Sequence, residues 1–313
     1  MENNPSPAFD RSRLRGIIPP MVTPLERDGY TVSEKGAHAL VNFVIDQGAH
    51  GIFVAGTTGE VAALDDIQWR NLVRYSVEAA RRRVPILAGA IAPTTTLAVA
   101  RARWAAELGV DVVVATTPYY YPPSQREVVD HIQAIAQATA LPLLLYNIPQ
   151  NTKVGMALDT YLQLARYPQI IGLKDSAGNV TEFRQALLAL RANGQDFRML
   201  LGSDHLTDVA ILIGAQGTVP SIGNIAARDL VAAYDAAIAG DWATSIRCQT
   251  QVIALTRIYD VAHGSHQTGI IVGLKCALNL IGVEVGPPAA PMRPLDAEET
   301  RRVAEILRAG GWL

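Results

Sequence analysis

The segment from residue 142 to residue 176 begins with PLLLYNIP at 142–149 and ends with IIGLKDS at 170–176. Both runs are apolar without alternation, and polar or turn residues close each of them. Continuous apolar runs of this kind are typical of parallel strands buried on both faces of a sheet. Two neighbouring parallel strands need a crossover connection, usually a helix, between them. The segment therefore predicts one strand–helix–strand unit.

The same kind of run recurs along the chain, and stretches with helical spacing separate the runs. Residues 33–46 place apolar side chains on one helical face, Ser124 to Glu127 predicts a capping box, and Asn179 predicts an N-cap. Eight such units close into a (β/α)8 barrel, the TIM barrel. An open doubly wound sheet is the alternative, but the GxGxxG turn expected after its first strand is missing. The six other predicted strands are 16–25, 51–56, 85–91, 110–117, 198–204 and 217–222.

Strand signals stop after residue 226, and the rest of the chain has helical spacing. We predict an N-terminal tail at 1–13, the barrel at 14–239 and a C-terminal helical region at 240–313. A Pro-rich stretch at 287–294, PPAAPMRP, predicts a surface loop between the last two helices. The predicted helices are 226–239, which completes the barrel, 241–262, 267–281 and 296–309.

Composition restricts the functional classes. The 313 residues include 27 basic and 29 acidic residues, a net charge of -2, whereas nucleic-acid binders are usually basic. No stretch approaches the roughly 20 apolar residues of a membrane span, and residues 1–15 lack the apolar core of a signal peptide. Cys248 and Cys276 have no CxxC spacing, and their apolar neighbours predict free, buried thiols. These features predict a cytoplasmic protein without a membrane or nucleic-acid partner.

The active site of such a barrel lies at the carboxyl ends of its strands. Lys174 follows the apolar run 170–173, so we expect its side chain near the barrel mouth. Desolvation there lowers the pKa of a lysine, and a neutral amine can form a Schiff base with a ketone. It is also one of only four lysines in the chain. The alternative is a structural lysine that is paired with Asp175 or another carboxylate.

Other strand ends carry polar groups as well. Tyr146 ends the preceding strand, where its hydroxyl could transfer protons for the amine or could simply cap the barrel core. The turn GTTGE at 56–60 offers N–H groups and hydroxyls that could bind a carboxylate, or it is an ordinary loop. Asp204 could contact substrate or act as an N-cap. The tyrosines at 119–121 precede two prolines and predict a stiff, exposed interface loop.

The histidines show no metal-binding pattern. The six residues are scattered and none forms HExxH, and His263 and His266 are expected on the surface. We therefore predict no metal.

Together, these motifs make the chain resemble the dihydrodipicolinate synthase / N-acetylneuraminate lyase superfamily from about residue 14 to its end. No single motif decides this, but their joint order does. The resemblance implies a (β/α)8 barrel, commonly a homotetramer built as a dimer of dimers, that makes or cleaves 2-oxo acids through a lysine–pyruvate imine. It implies no metal or other cofactor. The motifs are GTTGE at 56–60, TPYYYPPSQ at 117–125, YNIP at 146–149, GLKDSAGN at 172–179 and GSD at 202–204.

The resemblance also implies roles for single residues. Lys174 resembles the Schiff-base lysine and Tyr146 the proton-transferring tyrosine. Thr57 and Thr58 match the pair that binds the pyruvate carboxylate, and Thr57 also joins a hydroxyl relay that Tyr120 enters from a neighbouring subunit. Val219 matches a residue whose backbone carbonyl faces the substrate. The remaining expected substrate contacts are Gly202, Asp204 and Ser221.

One position departs from the synthase pattern. The synthases have an arginine two residues after the YNxP proline, and this arginine holds the carboxylate of aspartate semialdehyde. Asn151 stands there in this chain, with Lys153 nearby. A lysine is a flexible point charge and not a bidentate clamp. The runs at 149–152 and 174–176 more closely resemble the 4-hydroxy-2-oxoglutarate aldolase branch. The resemblance therefore implies an aldolase for 4-hydroxy-2-oxoglutarate or a 2-keto-3-deoxy sugar acid, with Asn151 as a substrate contact.

The sequence leaves other functions open. Within the same chemistry, the alternatives are the dihydrodipicolinate synthase reaction and a sugar-acid dehydratase. A phosphate-binding barrel isomerase would need a glycine-rich anion site, and residues 221–224 are a poor version of one. A non-catalytic barrel that binds a small molecule would not need a neutral Lys174.

Overall fold

The computed structural model describes residues 9–194 and 196–313, and most of the predicted N-terminal tail, residues 1–8, lies outside them. It contains one sheet of eight parallel strands in the order β1-β8-β7-β6-β5-β4-β3-β2. The predicted barrel and all eight predicted strand positions are confirmed. The strands are β1 Gly16–Ile17, β2 Ile52–Val54, β3 Ile86–Gly89, β4 Val112–Thr116, β5 Leu143–Asn147, β6 Ile170–Asp175, β7 Arg198–Leu201 and β8 Gly217–Thr218.

The barrel closes between its first two strands. Pro20 pairs in parallel with Phe53 of β2, and the N–H of Met21 donates to the Phe53 carbonyl at 2.9 Å. On the other side, β1 pairs with β8 through Gly16 and Gly217. With all strands parallel, their carboxyl ends meet at one mouth. The side chains that follow each strand are thereby brought together.

Helices connect the strands and continue after the last one. Predicted start signals act as expected: Ser124 and Glu127 form a capping box before α4, and the Asn179 side chain accepts the Glu182 N–H before α7. The helices are α1 Glu34–Asp46, α2 Asp66–Ala80, α3 Thr95–Glu107, α4 Gln125–Gln137, α5 Pro149–Thr152, α6 Leu158–Leu164, α7 Val180–Ala192, α8 Thr207–Leu212, α9 Gly223–Ile238, α10 Trp242–Leu255, α11 His266–Leu280 and α12 Ala297–Gly310.

The helices after residue 240 pack onto the barrel. Helix α10 lies against α9, while α11 contacts α9 and α12 contacts both α10 and α11. A 3-10 turn, Thr256–Asp260, ends the predicted helix 241–262 early. Helix α11 approaches this turn closely, because a Cβ at Gly273 would lie 2.6 Å from the Ile258 carbonyl oxygen. None of the helices in the described part of the chain has the length and apolarity needed to cross a membrane.

Two smaller predictions need correction. Cys248 and Cys276 are free thiols but only half-buried. The loop at 287–294 is not wholly on the surface. Ala289 is 5% exposed, and its N–H donates to a carboxylate oxygen of the buried Glu60.

Candidate active site

A cavity of about 200 Å³ opens at the carboxyl ends of the strands. Residues from five strand ends and from the start of α11 line it. The sequence-predicted site residues among them are Thr57, Thr58, Tyr146, Lys174, Gly202, Asp204, Val219 and Ser221. The structure therefore brings eight of the ten predicted residues to one cavity.

Lys174 lines this cavity and is 3% exposed. Its ammonium nitrogen is 4.0 Å from the Tyr146 ring centroid and 4.8 Å from that of Phe53. Burial lowers the pKa of Lys174 to about 7, although the nearby Asp204 carboxylate opposes this shift. Asp175 is occupied elsewhere, because its carboxylate accepts from Asn147 Nδ2 at 2.7 Å and from the Ala177 N–H at 3.0 Å. The geometry therefore favours a nucleophilic amine over a Lys174–Asp175 pair.

Tyr146 is the direct strand neighbour of Lys174, since β5 and β6 pair at these two residues. Its hydroxyl lies 3.3 Å from the Thr57 hydroxyl. Burial raises the pKa of Tyr146 to about 12, although hydrogen bonds with Thr57 and Ser176 act to lower it. The phenol thus stays protonated near neutral pH, and its hydroxyl contacts the GTTGE turn through Thr57.

The turn after β2 places two threonines at the cavity. The Thr58 hydroxyl lies 2.9 Å from that of Ser221, so the ends of β2 and β8 meet there. Glu60 ends the turn in the left-handed conformation, with φ +56. The N–H of Glu60 donates to the Thr57 carbonyl at 3.1 Å. This turn can present hydroxyls and N–H groups to an anion.

Asp204 lines the cavity and is not an N-cap, because Leu206 precedes α8 and no side chain caps that helix. One carboxylate oxygen accepts the Ile222 N–H before α9 at 3.0 Å, and the other accepts the Tyr259 hydroxyl at 3.1 Å. Burial raises the pKa of this carboxyl group. Gly202, two residues earlier, must lack a side chain, because a Cβ there would clash with the Ser176 hydroxyl and lie 3.1 Å from Lys174 Cε.

Several lining residues were not selected from the sequence. Ser176 and Gln150 follow their strands closely, and the Gln150 amide donates to the Ser176 carbonyl at 2.7 Å. His266, Gln267 and Ile270 come from α11, far from any strand end. The Ser265 N-cap signals where α11 begins, but no sequence pattern shows that α11 folds over the barrel mouth.

Two predicted residues lie outside this cavity. Asn151 lines a neighbouring, mostly apolar cavity of about 260 Å³ that shares Thr57, Ile148 and Gln267 with the first. Tyr120 is 80% exposed with φ +78, and its ring packs edge-on against Tyr121. In the single chain, neither residue reaches Lys174. A surface group of possible metal ligands, Glu34, His38 and Glu78, lies on α1 and α2, outside both cavities.

Sequence and structure comparisons with known proteins point to the same family. Residues 13–310 match the model of the dihydrodipicolinate synthetase family. The 4-hydroxy-tetrahydrodipicolinate synthase of Methanosphaerula palustris is 31% identical over 94% of this chain and 98% of its own. The dihydrodipicolinate synthase structure from Bacteroides thetaiotaomicron has a TM-score of 0.89 at 33% identity, covering 95% and 98% of the two chains. YagE of E. coli K12, solved in complex with pyruvate, has a TM-score of 0.89 at 26% identity, covering 96% and 99%.

Proposed function

The chain belongs to the dihydrodipicolinate synthetase family, and from this membership and the cavity we propose that it is a pyruvate-dependent lyase that works through an imine on Lys174. The observation that carries the proposal is the buried amine of Lys174, whose pKa burial lowers to about 7. Half of such amines are neutral near pH 7 and can attack a ketone. The proposal requires no metal or other cofactor.

The neighbouring residues fit the steps of this chemistry. The Lys174 amine adds to the pyruvate ketone, and loss of water leaves a protonated imine. Tyr146, still protonated, can donate the proton that the departing oxygen needs, with Thr57 as its relay partner. Thr57 and Thr58 bind the carboxylate. The imine then accepts the electron pair of a breaking carbon–carbon bond, or its enamine form attacks an aldehyde.

The pH dependence of imine formation follows from the Lys174 pKa. Because burial lowers this pKa to about 7, the neutral amine should be depleted below that pH and dominant above it. The rate of borohydride trapping at subsaturating pyruvate should rise through pH 7 and level off by about pH 8.5. The rate is measured by treating timed aliquots with the same amount of borohydride for the same time and quantifying the adduct. A rate that still rises steeply above pH 9 would show an unperturbed lysine.

The charge of the cavity bears on the second substrate. Among the described residues that line it, Lys174 is the sole Lys or Arg, and Asp204 adds an acidic group. Hydroxyl, amide and imidazole groups supply the remaining polarity. A neutral hydroxylated aldehyde, released from a 2-keto-3-deoxy sugar acid, fits this lining. Aspartate semialdehyde, and the glyoxylate released from 4-hydroxy-2-oxoglutarate, bring a second carboxylate that lacks a cationic partner there.

The synthase reaction is the second candidate, and the relatives favour it. Several relatives at 30–34% identity are called 4-hydroxy-tetrahydrodipicolinate synthases. If this chain condenses pyruvate with aspartate semialdehyde, a residue other than an arginine at position 151 must hold the semialdehyde carboxylate.

A substrate panel separates the two candidates. Pyruvate release from a 2-keto-3-deoxy sugar acid should exceed condensation with aspartate semialdehyde in kcat/KM. Charge-assisted hydrogen bonds contribute about 1.5–3 kcal/mol, so Asn151→Arg should raise the condensation roughly ten- to a hundredfold. Coupled lactate dehydrogenase measures pyruvate release, and the condensation is assayed separately. If the unaltered protein strongly prefers aspartate semialdehyde, the synthase reaction is supported. If Asn151→Arg has no effect on either kcat/KM, position 151 does not determine substrate specificity.

We also propose that Tyr120 acts across a subunit boundary in an oligomer. Its exposed ring, on a loop stiffened by Pro122 and Pro123, is free to enter a neighbouring copy. Activity should then fall with dilution as the assembly dissociates. Sedimentation at the same protein concentrations measures the dissociation. A fully active monomer would contradict this role.

A further inference from the structure

Helix α11 contains a second buried lysine, Lys275, which contacts the last residue of the GTTGE turn. Lys275 is 1% exposed and Glu60 is 4% exposed. The Lys275 ammonium nitrogen lies 2.5 Å from Glu60 Oε1 and donates to the Pro287 carbonyl at 2.8 Å. The other Glu60 oxygen accepts the Ala289 N–H at 2.7 Å. Both buried charges are therefore partnered, and the pair joins the turn to α11 and to the loop before α12.

At the turn, the pair holds a residue in an uncommon conformation. Glu60 is not a glycine, yet its φ is +56. Such a conformation persists only where surrounding contacts fix it. The turn is also held at Gly59, whose carbonyl accepts the Thr23 hydroxyl. The Glu60 N–H donates to the Thr57 carbonyl, so a shift of Glu60 would also move the neighbouring threonine hydroxyls.

At its other end, α11 forms a wall of the cavity. His266, Gln267 and Ile270 line it, and Lys275 follows Gln267 by about 12 Å along the helix axis. Lys174 and Tyr146 are instead held by β6 and β5. The Glu60–Lys275 pair thus connects two walls of the cavity without touching the groups that do the covalent chemistry.

We propose that the Glu60–Lys275 pair positions Thr57 and Thr58 for the pyruvate carboxylate. The inference rests on the proposed function, because it concerns the same pyruvate site. Losing the pair should weaken pyruvate binding and leave the chemical steps almost unchanged.

Three variants test this. Lys275→Met removes the ammonium, and Glu60→Gln removes the charge while keeping the shape. Glu299→Gln is the matched control, because Glu299 is also 4% exposed and has two 2.8 Å bonds to Arg293, but it belongs to α12. We expect Lys275→Met to raise the KM for pyruvate about tenfold or more with kcat within about threefold. The control should lose stability with an unchanged KM.

Amide hydrogen exchange provides a readout independent of activity. Exchange at residues 57–61 should accelerate in Lys275→Met and not in Glu299→Gln. Glu60→Gln should show the same effects more weakly, and it replaces Lys275→Met if that variant does not fold. An unchanged KM together with unchanged exchange in a folded variant would overturn the inference. A wild-type protein that pyruvate and borohydride fail to label would instead contradict the proposed function, while the exchange result would still decide the positioning role.

Discussion

Replacing Lys174 by Met is expected to reduce turnover by roughly 10⁴-fold or more, as the loss of a catalytic nucleophile does in other covalent enzymes. Methionine has a similar length and no amine, so the imine cannot form. The fold should survive, because the substitution removes a polar group that is 3% exposed among apolar and aromatic neighbours. Turnover is measured with the best substrate of the panel, and thermal unfolding confirms the fold.

Lys35→Met is the control for Lys174→Met. The Lys35 side chain is 84% exposed and pairs with Glu284 on the surface. This variant should keep wild-type turnover. Substantial turnover in Lys174→Met would show that another group carries the covalent step or that no covalent step exists.

Replacing Tyr146 by Phe is expected to lower turnover by roughly 10²–10⁴-fold, the usual contribution of general acid–base catalysis. The hydroxyl that lies 3.3 Å from Thr57 is lost, while the buried ring remains. Imine trapping should persist at a lower rate, because the Lys174 amine is still present. Single-turnover trapping and steady-state turnover are compared on the same preparation.

Tyr234→Phe is the matched control for Tyr146→Phe. Tyr234 is also buried, at 5% exposed, but lies on α9 outside the cavity. Near-normal turnover in Tyr146→Phe would exclude this hydroxyl from proton transfer.

The sequence predicted the barrel well, because its signals are local. Each buried parallel strand, such as 170–175, is a continuous apolar run, and caps such as Asn179 mark where helices begin. The positions of Lys174 and Tyr146 at strand ends could be predicted for the same reason, whereas their roles rested on the family resemblance. The barrel geometry alone places the residues that end neighbouring strands side by side.

The cavity residues that α11 supplies depend on tertiary packing that no local pattern encodes. His266 and Gln267 reach the cavity only because α11 lies over the barrel mouth, and the spacing of apolar residues in α11 does not say where it docks. Asn151 was expected at the substrate, but α5 places it in the neighbouring cavity. The buried pair of Glu60 and Lys275 joins residues more than 200 positions apart, so it too was invisible in the sequence.

The most direct test of the central claim is to treat the protein with pyruvate and borohydride and to map the modified residue by mass spectrometry. We expect one reduced pyruvate adduct per chain, located on Lys174, and none on the Lys174→Met variant. An unmodified protein at saturating pyruvate, or an adduct on Lys35, Lys153 or Lys275, would contradict the proposed mechanism.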